Sequence, residues 1–98
     1  MSRFQVTVTN GSKCDTDGAL GYDKPLRTFY LQGFIEKRNE IWLGAFLEEY
    51  PTLDSLISAA EGRGYSVSGI THADMIVMLS EAGEKPTPSV GELLGIVR

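Results

Sequence analysis

Apolar and polar side chains alternate strictly over residues 4–9, where the sequence reads FQVTVT. A period of two with β-branched residues is typical of a half-buried strand. Residues 29–35 and 41–46 are apolar on both sides of the polar stretch EKRNE, and they predict a β-hairpin. The short alternating segment at residues 65–70 predicts one further strand.

A helical period appears after Pro51, where Thr52 is the predicted N-cap and Gly62 or Gly64 the predicted end. Apolar residues recur there at the i, i+3, i+4 and i+7 positions that line one face of a helix. These residues are Leu53, Leu56, Ile57 and Ala60.

A second helix is predicted from Thr71, because Thr71 and Asp74 have the spacing of a capping box, to just before Gly83. Its apolar stripe consists of Met75, Ile76, Met78, Leu79 and Ala82.

Two segments lack a regular period. Residues 10–26 hold three glycines, one proline and three aspartates, a composition that predicts a long, solvated loop. Residues 84–89 contain two prolines and are predicted to connect the second helix to the C-terminal segment. That last segment, residues 89–98, fits either a weak helix or an edge strand.

The order of these elements is βββαβα, followed by the C-terminal segment. It predicts one α+β domain over residues 1–98, in which helices pack on one face of a sheet of about four strands. The hairpin makes the sheet antiparallel. Because a helix precedes the last strand, that strand would lie parallel to the third if the two were neighbours, which would give a mixed sheet.

The predicted hairpin register pairs Glu36 with Ile41 and leaves residues 37–40 as a four-residue polar turn. It also places Gly33 opposite Gly44. One face, which we expect the helices to cover, then carries Tyr30, Phe34, Ile41, Leu43, Ala45 and Leu47. The other, which we call the aromatic sheet face, carries Phe29, Leu31, Ile35, Trp42 and Phe46. It needs a cover, which the C-terminal segment, a second copy of the chain or another protein could supply.

Composition narrows the class of protein. The chain has 98 residues, 42% of them hydrophobic, which is ordinary for a globular domain. Cys14 is the only cysteine, so no internal disulfide forms, and a reducing, cytoplasmic location is expected. No apolar run approaches the roughly 18 residues of a membrane span. We therefore expect a soluble protein without a membrane partner.

Charge is distributed unevenly along the chain. Residues 40–84 contain eight acidic residues and one basic residue, a net charge of −7, whereas the rest of the chain has +3, for a total of −4. Such a segment repels phosphate, so direct nucleic-acid binding is not expected, and a charged partner should be basic. The alternative is that the acids only promote solubility. The predicted partner-binding acids are Glu48, Glu49, Asp54, Glu61, Asp74, Glu81 and Glu84.

Candidate catalytic and metal-binding residues are few. Asp15, Asp17 and Asp23 resemble part of a calcium loop, but the spacing puts lysines where the first and last ligands should be. His72 and Cys14 lack the paired spacing of zinc ligands. Ser68, His72 and Asp74 have the residue types of a catalytic triad, yet residues 72 and 74 point to different sides of a helix. We therefore expect no metal, no cofactor and no catalytic residue.

The sequence favours a non-enzymatic protein–protein interaction module that uses its acidic residues and its aromatic sheet face. In its most concrete form it is a small acidic inhibitor or accessory protein, of the anti-CRISPR kind that phages and mobile elements encode, which docks on a basic nucleic-acid-binding surface. One alternative is a homodimeric structural or regulatory subunit. Another is a small hydrolase or metal-dependent enzyme that uses His72, Cys14 or the loop aspartates.

Overall fold

A computed structural model describes residues 3–83, which form five strands and two helices. The α+β class is confirmed, whereas the predicted count of about four strands is wrong because a fifth strand occupies the expected loop. The strands are β1 Phe4–Asn10, β2 Lys13–Asp23, β3 Thr28–Gly33, β4 Ile41–Leu43 and β5 Tyr65–Ser68. The helices are α1 Leu53–Gly62 and α2 His72–Glu81.

The five strands form one sheet in the order β4-β3-β2-β1-β5. Every pair of neighbours is antiparallel, including β1 with β5, so the mixed sheet does not form. The two edges of the sheet are therefore β4, which pairs with β3 only, and β5, which lies between the helices in sequence.

The predicted loop at residues 10–26 is largely the 11-residue strand β2. A tight turn at Gly11 and Ser12 joins it to β1, and Gly11 has the positive φ that a hairpin turn of this length requires. Gly18, which resembled a loop residue, lies within this strand, and a Cβ at this position would come within 2.6 Å of Val8 Cγ2. The glycine thus makes room for a core valine, a role that turn propensity does not reveal.

The predicted register of the hairpin that contains β3 and β4 is also wrong. Ile41 pairs with Gly33 instead of Glu36, a shift of three residues, and Leu31 pairs with Leu43. An odd shift exchanges the two faces of a strand relative to its partner. The strand ends early because Phe34 adopts a left-handed conformation, with φ 52°, and its ring is buried. Residues 34–40 therefore form a longer loop than predicted.

Both helices occur where the sequence predicts them. The hydroxyl oxygens of Thr52 and Thr71 accept hydrogen bonds from the backbone N–H groups of Ser55 and Asp74, which caps α1 and α2. The buried helical residues are Leu53, Leu56, Ile57, Ala60, Met75, Met78 and Leu79. Ile76, which we predicted to belong to the apolar stripe, is exposed.

The core lies between the helices and one face of the sheet, which contributes Val6, Val8, Leu20, Tyr22, Phe29, Leu31, Ile41 and Leu43. No helix within residues 3–83 is long and apolar enough to cross a membrane. The predicted connector at 84–89 and the C-terminal segment at 89–98 lie outside the described residues.

Candidate binding surface beside Trp42

Trp42 is the central residue of the edge strand β4, and 58% of its side chain is exposed. It pairs with Gln32, and both side chains point away from the helices because their neighbours Leu31, Ile41 and Leu43 point into the core. The indole therefore stands on the face of the sheet opposite α1 and α2, at the sheet edge.

A cavity of about 270 Å³ opens next to the indole on this face, and we call it the Trp42 cleft. The residues around it include Arg3, Asp23, Tyr30, Gln32, Trp42 and Ala45. Arg3 Nη1 donates to Gln32 Oε1 at 3.4 Å across the cleft. An aromatic wall beside a few hydrogen-bonding groups is the composition of a binding site, with the polar groups setting orientation.

Tyr30 forms the floor of the cleft and is only 5% exposed. Burial raises the pKa of its hydroxyl above the ordinary value of 10.0, and the nearby charges of Asp23 and Glu81 raise it further. Arg3 opposes this shift through a hydrogen bond and its positive charge. Tyr30 is therefore neutral near pH 7.

Two more large apolar side chains are exposed directly after β4, namely Phe46 at 71% and Leu47 at 60%. Hydrogen bonds hold the backbone around them: Glu48 N–H donates to Leu26 O at 2.7 Å, and Glu49 N–H donates to Phe46 O at 3.2 Å. The carboxylate of Glu49 accepts from Ala45 N–H at 3.0 Å. Phe46 and Leu47 are thus exposed on a segment whose backbone is held by hydrogen bonds.

Gly44 fixes where this segment leaves the sheet. Its φ is 83°, and a Cβ at this position would overlap the carbonyl oxygen of Phe29. The chain therefore turns against the backbone of β3 itself, which places Ala45 next to the Trp42 cleft.

The predicted aromatic sheet face does not form as one surface. Phe29 and Leu31 lie in the core beneath the helices, because the observed register turns them to that side. Ile35, Trp42 and Phe46 are exposed. Leu47, which we expected under the helices, joins the exposed group.

The predicted acidic residues lie on several elements. Asp54 and Glu61 are both exposed on α1, two turns apart and hence on one side of the helix. Glu48 and Glu49 belong to the segment after β4, where Glu48 lies 3.9 Å from Arg27. Asp74 and Glu81, on α2, are half-buried, and Glu84 lies outside the described residues.

Cys14 and His72, which we considered for catalysis, lie on different elements. Cys14 is exposed on β2, and His72 is exposed at the start of α2. The carboxylate of Asp15 accepts hydrogen bonds from the backbone N–H groups of Asp17 and Phe34, which lower its pKa. Within residues 3–83, no group of three or more His, Cys, Asp or Glu side chains is placed to hold a metal ion.

No protein-family model, curated protein or solved structure matches the chain. A function must therefore be inferred from the chemistry of the surface itself.

The sequence pointed to Trp42 and Phe46 but did not point to Arg3, Tyr30 and Gln32 as residues of the surface. The alternation of faces along the segment TFYLQG could have found Tyr30 and Gln32, once its register with IWL is known, but it gives no signal for Arg3.

Proposed function

We propose that this protein is a non-enzymatic protein-binding domain in which Trp42 anchors the partner. The observation that carries the proposal is the exposed indole standing beside a cleft that contains Tyr30 and Gln32. Tryptophan and tyrosine are enriched among the residues that dominate binding energy at protein interfaces. Both combine a large apolar surface with one polar group.

The residues near Trp42 support the interpretation that its exposed side chain belongs to a binding surface. Single exposed apolar residues are common on proteins and need no explanation. Here Trp42, Phe46 and Leu47 are all exposed within six consecutive residues, and the backbone that carries two of them is hydrogen-bonded. A partner that binds such a segment orders little chain, so less of the binding energy is lost to entropy.

Charge indicates what kind of partner fits. The chain has a net charge of −4, and the exposed acids Asp54 and Glu61 add to the negative potential of α1. A basic protein would be attracted at long range and would associate faster at low salt. The more specific form of the proposal is an inhibitor that occupies the nucleic-acid-binding surface of that partner.

The proposal is tested by affinity capture from extracts of the source cell with immobilised wild type, Trp42→Ala and Val77→Ala. Val77 is also exposed and apolar but lies on α2, so it is the matched control. We expect one basic protein to be retained by wild type and Val77→Ala and to be lost with Trp42→Ala. Equal retention by all three proteins would contradict the proposal.

Two further conditions make the capture experiment more specific. Raising the salt concentration should weaken capture, because screening shortens the reach of the acidic surface. Added nucleic acid should displace this protein from its partner if the inhibitor form is correct. Sedimentation of the purified protein tests the homodimer alternative: a wild-type dimer that Trp42→Ala converts to a folded monomer would assign the surface to self-association instead.

A further inference from the structure

A second cavity, of about 480 Å³, lies between the start of β2 and the loop at residues 34–40. Its lining comprises Lys13, Cys14, Phe34, Lys37, Arg38 and Asn39. None of these residues lines the Trp42 cleft. The volume is in the range of small-molecule sites, and three of the six residues are cationic.

The loop that supplies most of this lining is held by hydrogen bonds at several points. Phe34 N–H donates to Asp15 Oδ2 at 2.7 Å, and Lys37 N–H donates to Phe34 O at 3.0 Å. Farther along, the Tyr65 hydroxyl donates to the Asn39 carbonyl at 2.6 Å. The backbone that carries Lys37, Arg38 and Asn39 is therefore fixed in front of Lys13 on β2.

The three cations have no ion-pair partner within 4.0 Å in the part of the chain that the structure describes. Asp15 is the nearby acid, and Lys37 contributes to lowering its pKa, but both its oxygens already accept backbone N–H bonds. Glu36 and Glu40 belong to the same loop but are not among the lining residues, and Glu40 accepts from Glu36 N–H. The cavity wall itself is thus positively charged.

Asn39 adds a neutral donor. Its Nδ2 is buried and makes no hydrogen bond within residues 3–83. A buried donor without an acceptor costs free energy, and the residue that carries it lines the cavity. This orphan amide and the three cations point to the same kind of ligand, an anion with several acceptor oxygens.

We propose that this cavity binds a small organic phosphate. A phosphate group presents three strong acceptor oxygens and carries between one and two negative charges near pH 7. The planar guanidinium of Arg38 can donate two parallel bonds to it, while lysines act as point charges. Because the cavity is larger than one phosphate group needs, the Phe34 side is left for the organic part. The site is independent of the protein-binding surface.

Isothermal titration calorimetry at low ionic strength tests the proposal with adenosine 5′-monophosphate, inorganic phosphate and adenosine as probes. We expect saturable binding of the monophosphate, weaker binding of inorganic phosphate and none of adenosine. Equal affinity for inorganic phosphate would overturn the organic-ligand assignment. Absence of saturable monophosphate binding would overturn the site. A single-stranded oligonucleotide that binds more than about tenfold tighter than the monophosphate would instead identify a nucleic-acid surface.

Two variants locate the binding in this cavity. Arg38→Gln removes a cation, and Asn39→Asp replaces the orphan donor with a carboxylate of the same shape; each should weaken monophosphate binding about tenfold or more. Arg63→Gln is the control, because Arg63 is an exposed base at the end of α1 and does not line the cavity. Far-UV circular dichroism checks that each variant is folded. If folded Arg38→Gln and Asn39→Asp bind like Arg63→Gln, the assignment is wrong.

Discussion

The hydroxyl of Tyr65 on β5 donates a 2.6 Å hydrogen bond to the backbone carbonyl of Asn39, in the loop between β3 and β4. In the sheet order, β2 and β1 separate β3 from β5. The bond therefore joins segments from the two ends of the strand order, and the ring centroids of Phe34 and Tyr65 lie 6.3 Å apart. These contacts hold Phe34 and Asn39, two of the residues that line the cavity beside Lys13, Lys37 and Arg38.

Removing only this hydroxyl should measure what the bond contributes. We expect Tyr65→Phe to lower the free energy of unfolding by about 1 kcal/mol, because the Asn39 carbonyl loses its partner while the ring contact with Phe34 remains. Urea denaturation gives the value. Tyr50→Phe is the matched control, since Tyr50 is half-buried and its hydroxyl makes no hydrogen bond within the described residues. Equal effects of the two substitutions would show that the bond adds nothing.

Gly44 should tolerate no side chain. Gly44→Ala combines a positive φ with an overlap against the Phe29 carbonyl, both of which involve backbone that cannot move aside easily. We expect a loss of more than about 3 kcal/mol in unfolding free energy, or no folded protein. Gly62→Ala is the control: Gly62 lies in α1 with open space around it, and its substitution should stabilise by about 0.5–1 kcal/mol. Thermal unfolding of both variants makes the comparison, and similar melting temperatures would contradict it.

Thr28 is fully buried, and its hydroxyl ties β3 to the segment that enters α1. Its oxygen accepts from Tyr50 N–H at 2.8 Å and lies 3.2 Å from Tyr50 O. Thr28→Val keeps the shape but leaves the Tyr50 amide without a partner, so we expect a loss of about 1–3 kcal/mol. Thr28→Ser retains the hydroxyl and should lose less. Chemical denaturation compares them, and the opposite order would mean that the methyl contact dominates.

The helices were predictable from sequence because the signals for them are local. The caps Thr52 and Thr71 and the apolar spacing that follows each lie within a few residues. Strand β2 was not predictable in this way. Its glycines and aspartates favour turns, but pairing with β1 and β3 satisfies its backbone, and Val8 requires the space at Gly18. Tertiary contacts thus outweighed local propensity.

The candidate surface, like the fold, was predictable from the sequence only in part. Trp42 and Phe46 stood out in the sequence, but which residues share their side depends on hairpin register. That register follows from Phe34, whose left-handed backbone ends β3 and whose amide binds Asp15, nineteen residues earlier. A contact of this separation leaves no local pattern. Lys13 likewise comes close to Lys37 and Arg38 only because β2 pairs with β3, which the sequence did not predict.

The carboxylate of Asp15 should make stability depend on pH at the acidic end. Hydrogen bonds from Asp17 and Phe34 N–H lower its pKa in the folded state below 3.8, and the charge of Lys37 acts in the same direction. The unfolded chain then binds a proton more readily than the folded one, so this stabilisation is complete above about pH 5 and is lost as pH falls through the folded pKa.

We therefore expect Asp15→Asn to destabilise the protein near pH 7, by an amount that solvent screening keeps to about 1 kcal/mol or less. The difference from wild type should shrink below pH 3.8, where the unfolded chain takes up a proton and the folded carboxyl follows only at lower pH. Urea denaturation of both proteins at pH 7 and near pH 3 measures it. Asp54→Asn is the control, because Asp54 is exposed on α1. A difference between wild type and Asp15→Asn that stays constant across this range would exclude titration of Asp15 as its source.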